Sequence, residues 1–112
     1  MKDRLPKPLQ EFIEKYPEIW KAYENLGHVC HESGPLDENT RRLVKLGIAI
    51  GARLEGAVRS HTKRAVEGGI SEDEILHVAA LAITTIGFPS SVAATTWIKD
   101  ILEGKELQHH QP

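Results

Sequence analysis

Apolar side chains recur every three or four positions along most of this chain, and β-branched residues do not alternate with polar ones. That period belongs to helices, not strands. Leu9, Phe12 and Ile13 form a first short stripe, ended by Pro17, and Ile19, Trp20, Tyr23 and Leu26 form a second that stops near Gly34-Pro35. Asp37 is placed to cap a third helix over Thr40 to Arg53. Its Leu43, Val44, Leu46, Ile48, Ala49 and Ile50 cover two faces, which predicts a position near the centre of the core. Gly47 and Gly51, four residues apart, predict close approach by another helix. A fourth helix is predicted over Glu55 to Val66, stopped by Gly68-Gly69. Ser71 with Glu74 makes a capping box for a fifth helix, which carries Ile75, Leu76, Val78, Ala79, Leu81, Ala82 and Ile83 and ends at Gly87-Phe88-Pro89. Ser90 or Ser91 is predicted to cap a sixth, with Val92, Ala93, Trp97, Ile98, Ile101 and Leu102 inward. The expectation is an all-α, single-domain bundle of about six helices. An N-terminal helical segment (1–35) packs on a core (36–103), and a polar, frayed tail (104–112) follows.

Length and charge narrow the partners. A chain of 112 residues buries a modest share of its surface, so assembly into a homo-oligomer is a natural way to hide more apolar area. The formal charge is −2, from 14 basic and 16 acidic residues mixed along the chain, and no basic run reaches five residues, so no nucleic-acid partner is expected. Met1 to Pro8 is charged and broken by prolines, with no apolar stretch behind it, so no signal peptide is expected. The strongly apolar runs, Leu46 to Ala52 and Val78 to Ile83, are too short to cross a bilayer, and no membrane partner is expected. Cys30 is the single cysteine. It excludes a dithiol centre within one subunit and agrees with a reducing, cytoplasmic location.

The histidines are the first candidates for chemistry. His109 and His110 lie in the polar tail. His28 and His31 flank Cys30, but a zinc site normally takes four ligands, and the second pair is missing unless His61 or another subunit supplies it, so no metal is expected. His61 lies mid-helix on a small apolar face with Ala57, Ala65 and Gly68, and cations stand close by. Such neighbours favour the neutral imidazole, the form that acts as a base. Glu55 lies six residues earlier, nearly two turns, so the two side chains do not meet. Arg41, Arg42 and Lys45 form one basic group, and Arg59, Lys63 and Arg64 another. If the two groups converge, they can hold an anionic substrate such as a carboxylate.

Several pieces in fixed order carry a resemblance. They are Leu36-Asp37-x-x-Thr40-Arg41-x-Leu43, then Gly51 to His61, then Ala65, Gly69-Ile70-Ser71-x-x-Glu74-Ile75, and Gly87-Phe88-Pro89 before a last helix. Over residues 36–102 the chain resembles the carboxymuconolactone decarboxylase family, which includes the alkylhydroperoxidase D-like proteins. The resemblance implies an alkylhydroperoxidase D-like all-α bundle and a homo-oligomer, commonly a trimer or hexamer, with sites near subunit contacts. The redox branch of the family carries Cys-x-x-Cys-x-x-x-His with a glutamate twelve residues before the first cysteine. Anchored on His61, those cysteine positions are Leu54 and Ala57, and the glutamate position is Arg42. Aliphatic side chains cannot attack a peroxide or form a disulfide, so dithiol peroxidase activity is not expected. The decarboxylase branch also lacks the cysteine pair, but its Glu-Glu-Leu-Ala-x-His pattern corresponds here to Gly56-Ala57-Val58-Arg59-Ser60-His61.

Three main readings stay open on the sequence, with a metal site around His28, Cys30 and His31 as the remainder. One is a cysteine-independent, lyase-like enzyme acting on a small organic acid or lactone without a cofactor. In it, His61 is the general acid/base, and Arg42, Arg59, Glu55 and His31 bind the substrate. The second is a non-enzymatic oligomeric binding or accessory protein on the same scaffold. The third is a peroxiredoxin-like antioxidant working through Cys30.

Overall fold

Prolines start the first helices of the chain. In the computed structural model, which describes residues 5–104, α1 runs Lys7–Lys15 and α2 runs Pro17–Glu32. Pro17 ends the first stripe by opening the next helix, because its fixed φ and missing N–H suit a first turn. Tyr16 is the hinge residue between them, and its ring lies 5.2 Å from that of Phe12. The second apolar stripe does form on α2, where Ile19, Tyr23, Leu26 and Val29 are exposed. α1 and α2 make up one compact unit, which ends at Pro35.

The second unit begins at Leu36 and contains α3 (Glu38–Gly51), α4 (Glu55–Glu67), α5 (Glu72–Ile86) and α6 (Phe88–Leu102). The described residues therefore hold six helices and no strand. Asp37 caps α3 by accepting the Thr40 N–H at 2.8 Å. That bond to the charged form holds the Asp37 carboxyl below its usual range. Ser71 and Glu74 make the predicted capping box at the start of α5. Ser71→Ala removes the acceptor for the Glu74 N–H, and it is expected to lower stability by about 1 kcal/mol in urea denaturation.

The core is built from one face of each helix: Leu46, Ala49 and Ile50 of α3, Val58 and Ala65 of α4, Ile75 and Ala79 of α5, and Ala94 and Ile98 of α6. α3 differs from expectation. Only one of its two apolar faces is buried, and Val44 and Ile48 point to solvent, Ile48 with 66% of its surface accessible. Leu81, Phe88 and Val92 are likewise uncovered. Gly47 does allow close approach, since a Cβ there would touch Val78 Cγ1 of α5 at 3.6 Å, whereas Gly51 faces open space.

The start of α6 also differs. Neither Ser90 nor Ser91 caps it, because the helix begins earlier, at Phe88, with Pro89 in its first turn and Gly87 at φ +100° as N-cap. Ser91 is instead buried and donates to the Ala79 carbonyl of α5, while Ser90 accepts from Arg53 Nε at 2.9 Å. Arg53 is the one non-glycine residue with positive φ among those described, at +57° in the α3–α4 turn. Its guanidinium reaches from that turn to the α5–α6 corner and so links the two interhelix turns. Residues 105–112, including His109 and His110, lie outside the described residues, as do residues 1–4.

Candidate functional site

Two flanks of α4 have different fates. Its buried face carries Val58, Thr62 and Ala65, and Thr62 donates back to the Val58 carbonyl at 2.7 Å. Arg59 and His61 are two residues apart, which puts them about 200° apart around a helix. They therefore lie on opposite edges of that buried face.

On the first edge Arg59 is 5% exposed and already paired. Its Nη2 donates to Asp100 Oδ2 of α6 at 3.0 Å, and its Nε donates to Glu55 Oε2 at 3.0 Å, one turn earlier on α4. The sequence expectation places Arg59 as a carboxylate anchor beside His61, with Glu55 in the same site; this geometry instead sets Arg59 and Glu55 on the far edge from His61. Arg59 points the other way, and two carboxylates of the chain itself occupy it. Glu55 serves the ion pair and is not a partner for His61.

On the second edge His61 is half-buried and faces the α3 side. Burial lowers its pKa below the ordinary imidazole value, and Arg64, Lys45 and Arg42 push it further down. Arg64 is one turn beyond His61 on α4, while Arg42 and Lys45 are one turn apart on α3. The register is marked by Arg42, whose side chain lies against Gly68 at the end of α4. Because α3 and α4 run antiparallel, Lys45 then lies beside the turn of α4 that holds Arg64, and the next turn holds His61. The two basic groups do converge, but through Arg42, Lys45 and Arg64. The sequence reading chose Arg42 and missed the other two as site residues. The three-residue spacings 42–45 and 61–64 were the available signal.

Arg42 is held in place by Glu38, one turn earlier, at 2.5 Å. Its Nε is buried and makes no hydrogen bond to the described residues. His31 lies in the last turn of α2, in the N-terminal unit, and Cys30 is an exposed free thiol on the same helix. Leu54, where the resemblance puts one cysteine of a redox pair, is the exposed N-cap of α4, and Ala57, where it puts the other, is half-buried.

A depressed imidazole pKa has a thermodynamic consequence. The unfolded chain takes up its His61 proton at roughly pH 6.5, before the folded state does. The unfolded state therefore binds more protons in the window below that value, and stability falls as pH drops from there towards the folded-state pKa. Above the window the contribution is constant. Urea midpoints at pH 5.5 and 7.5 are expected to differ more in the wild type than in His61→Gln.

A family model described as carboxymuconolactone decarboxylase family matches residues 17–100, from the first residue of α2 to Asp100 of α6. The chain belongs to the carboxymuconolactone decarboxylase family. Its fold agrees. The crystal structure of an apo carboxymuconolactone decarboxylase family protein from Legionella pneumophila superposes with a TM-score of 0.75 over 88% of each chain, at 22% identity. An uncharacterized protein of Methanocaldococcus jannaschii is 29% identical over 102 residues, 90% of this chain and 95% of that one. An uncharacterized protein of Haemophilus influenzae is 34% identical over 59 residues, and the match spans 52% of its length. The alkylhydroperoxidase D-like bundle expected from the resemblance is therefore the fold observed. With Cys30 as its single cysteine, this chain lacks a cysteine pair. No described helix is long and apolar enough to cross a membrane.

Proposed function

We propose that this family member is a cysteine-independent enzyme acting on a small organic acid or lactone, with His61 as general acid/base and with Arg42, Lys45 and Arg64 holding the substrate's carboxylate. The observation that carries the reading is the half-buried imidazole, whose pKa is lowered first by burial and further by three cations from two helices. A neutral imidazole accepts a proton at physiological pH, and cations around it stabilise the negative charge that develops when a carbon acid ionises or carbon dioxide departs. A carboxylate seated among the three cations lies beside the group that must move the proton.

The uncovered Val44, Ile48, Leu81, Phe88 and Val92 support a homo-oligomer as the working form, for which the resemblance implies a trimer or hexamer. The site then lies on a helix pair whose outer apolar side is covered by a neighbouring copy. The reading is tested by following 4-carboxymuconolactone, and a panel of small carboxylated lactones, through loss of ultraviolet absorbance. Saturable turnover of at least one is expected. No turnover of any, together with no binding of any carboxylate, counts against it.

A further inference from the structure

Two glycines follow one another at the end of α4, and they answer different needs. Gly69 has φ +85°, a conformation in which a side chain is strained, so its backbone calls for glycine. Gly68 has φ −82° and ψ 2°, which most residues adopt without strain. The backbone therefore gives no reason for glycine at position 68.

Space does. A Cβ on Gly68 would meet Arg42 Nε at 3.2 Å and Arg42 Cδ at 3.4 Å. The third near atom, the Arg64 carbonyl oxygen at 3.3 Å, belongs to the same last turn of α4. Arg42 thus lies directly across the bare Cα. This is also a favourable place for a cation, because the carbonyls at a helix C-terminus carry partial negative charge. Glu38 holds the far side of the guanidinium through Nη2. The Nε on the near side is buried and makes no hydrogen bond to the described residues.

We propose that Gly68 is a positioning residue for the anion site: its missing side chain forms the slot that holds Arg42 across the end of α4, where the guanidinium acts on His61 and on a bound carboxylate. The part concerning the carboxylate rests on the function proposed above, while the slot and its effect on His61 do not.

The test is a double-mutant cycle with Gly68→Ala and Arg42→Gln in the full chain. The readouts are the His61 imidazole titration by NMR and the affinity for succinate. Gly68→Ala pushes the Arg42 side chain aside, so the His61 pKa is expected to rise and succinate affinity to fall, each by less than in Arg42→Gln. Neither change is expected when Gly68→Ala is made in the Arg42→Gln background. A His61 shift of equal size in both backgrounds, or no shift in either, overturns the proposal. If succinate binds to no variant, the proposed function is what fails, and the His61 titration alone decides the role of Gly68.

Discussion

His61→Ala is expected to lower turnover by about 10²- to 10⁴-fold, the usual worth of a positioned general acid or base. The protein should stay folded, because His61 sits at the edge of the core and not within it. The argument runs through the imidazole's environment. Half-burial removes part of its water, and Arg64, Lys45 and Arg42 add positive potential, so the free protein carries a neutral base at pH 7. Removing it leaves the three cations in place. Substrate should therefore still bind, and the loss should appear in kcat with little change in KM. His61→Gln keeps much of the volume and should be as inactive. A loss confined to KM would instead mean that His61 only helps to hold the anion.

Asp100→Ala is expected to destabilise the protein by about 3–5 kcal/mol, because it leaves the buried Arg59 guanidinium without its interior partner. Both side chains are almost fully enclosed, and their contact at 3.0 Å joins α4 to α6. The remaining partner, Glu55, is exposed and held by an (i, i+4) contact at 2.9 Å, so it compensates little. Arg59 Nη1 is already buried without a hydrogen bond to the described residues, which raises the penalty for losing another. For a domain near 100 residues such a loss corresponds to a fall in Tm of more than about 10 °C. Glu55→Ala should cost less than about 1 kcal/mol. Replacing both members of the pair, as in Arg59→Met with Asp100→Leu, should recover much of the stability lost by the single change. A small effect of Asp100→Ala would show that the pair is not what ties α4 to α6.

The contrast between these two arginines shows what the sequence could and could not reveal. Local chemistry was legible. Asp37, the Ser71–Glu74 box, Gly69 and Gly87 announce helix ends through bonds and φ values that depend on a few neighbouring residues. The family pattern was legible for the same reason, since its pieces are short and ordered. The pairing of Arg59 was not legible because its partner, Asp100, is 41 residues away, and only the packing of α6 on α4 brings them together. The start of α6 was misplaced because serine is a good cap in isolation, whereas the Ser91 hydroxyl finds a buried carbonyl on α5. Lys45 and Arg64 were visible as charges. Their convergence on His61 depends on the antiparallel register of α3 and α4, which the Arg42–Gly68 contact marks.

The central claim is that a small organic anion binds beside a neutral His61. The most direct measurement is the His61 imidazole titration by NMR, with and without saturating succinate. An anion among Arg42, Lys45 and Arg64 neutralises the potential that holds the imidazole's pKa down. The account therefore predicts a downfield-shifted, more basic His61 in the complex, and affinity that tightens as pH falls towards the free-protein pKa. A titration curve unchanged by succinate, or one that shifts as much when Arg42, Lys45 and Arg64 are all replaced by glutamine, would contradict it.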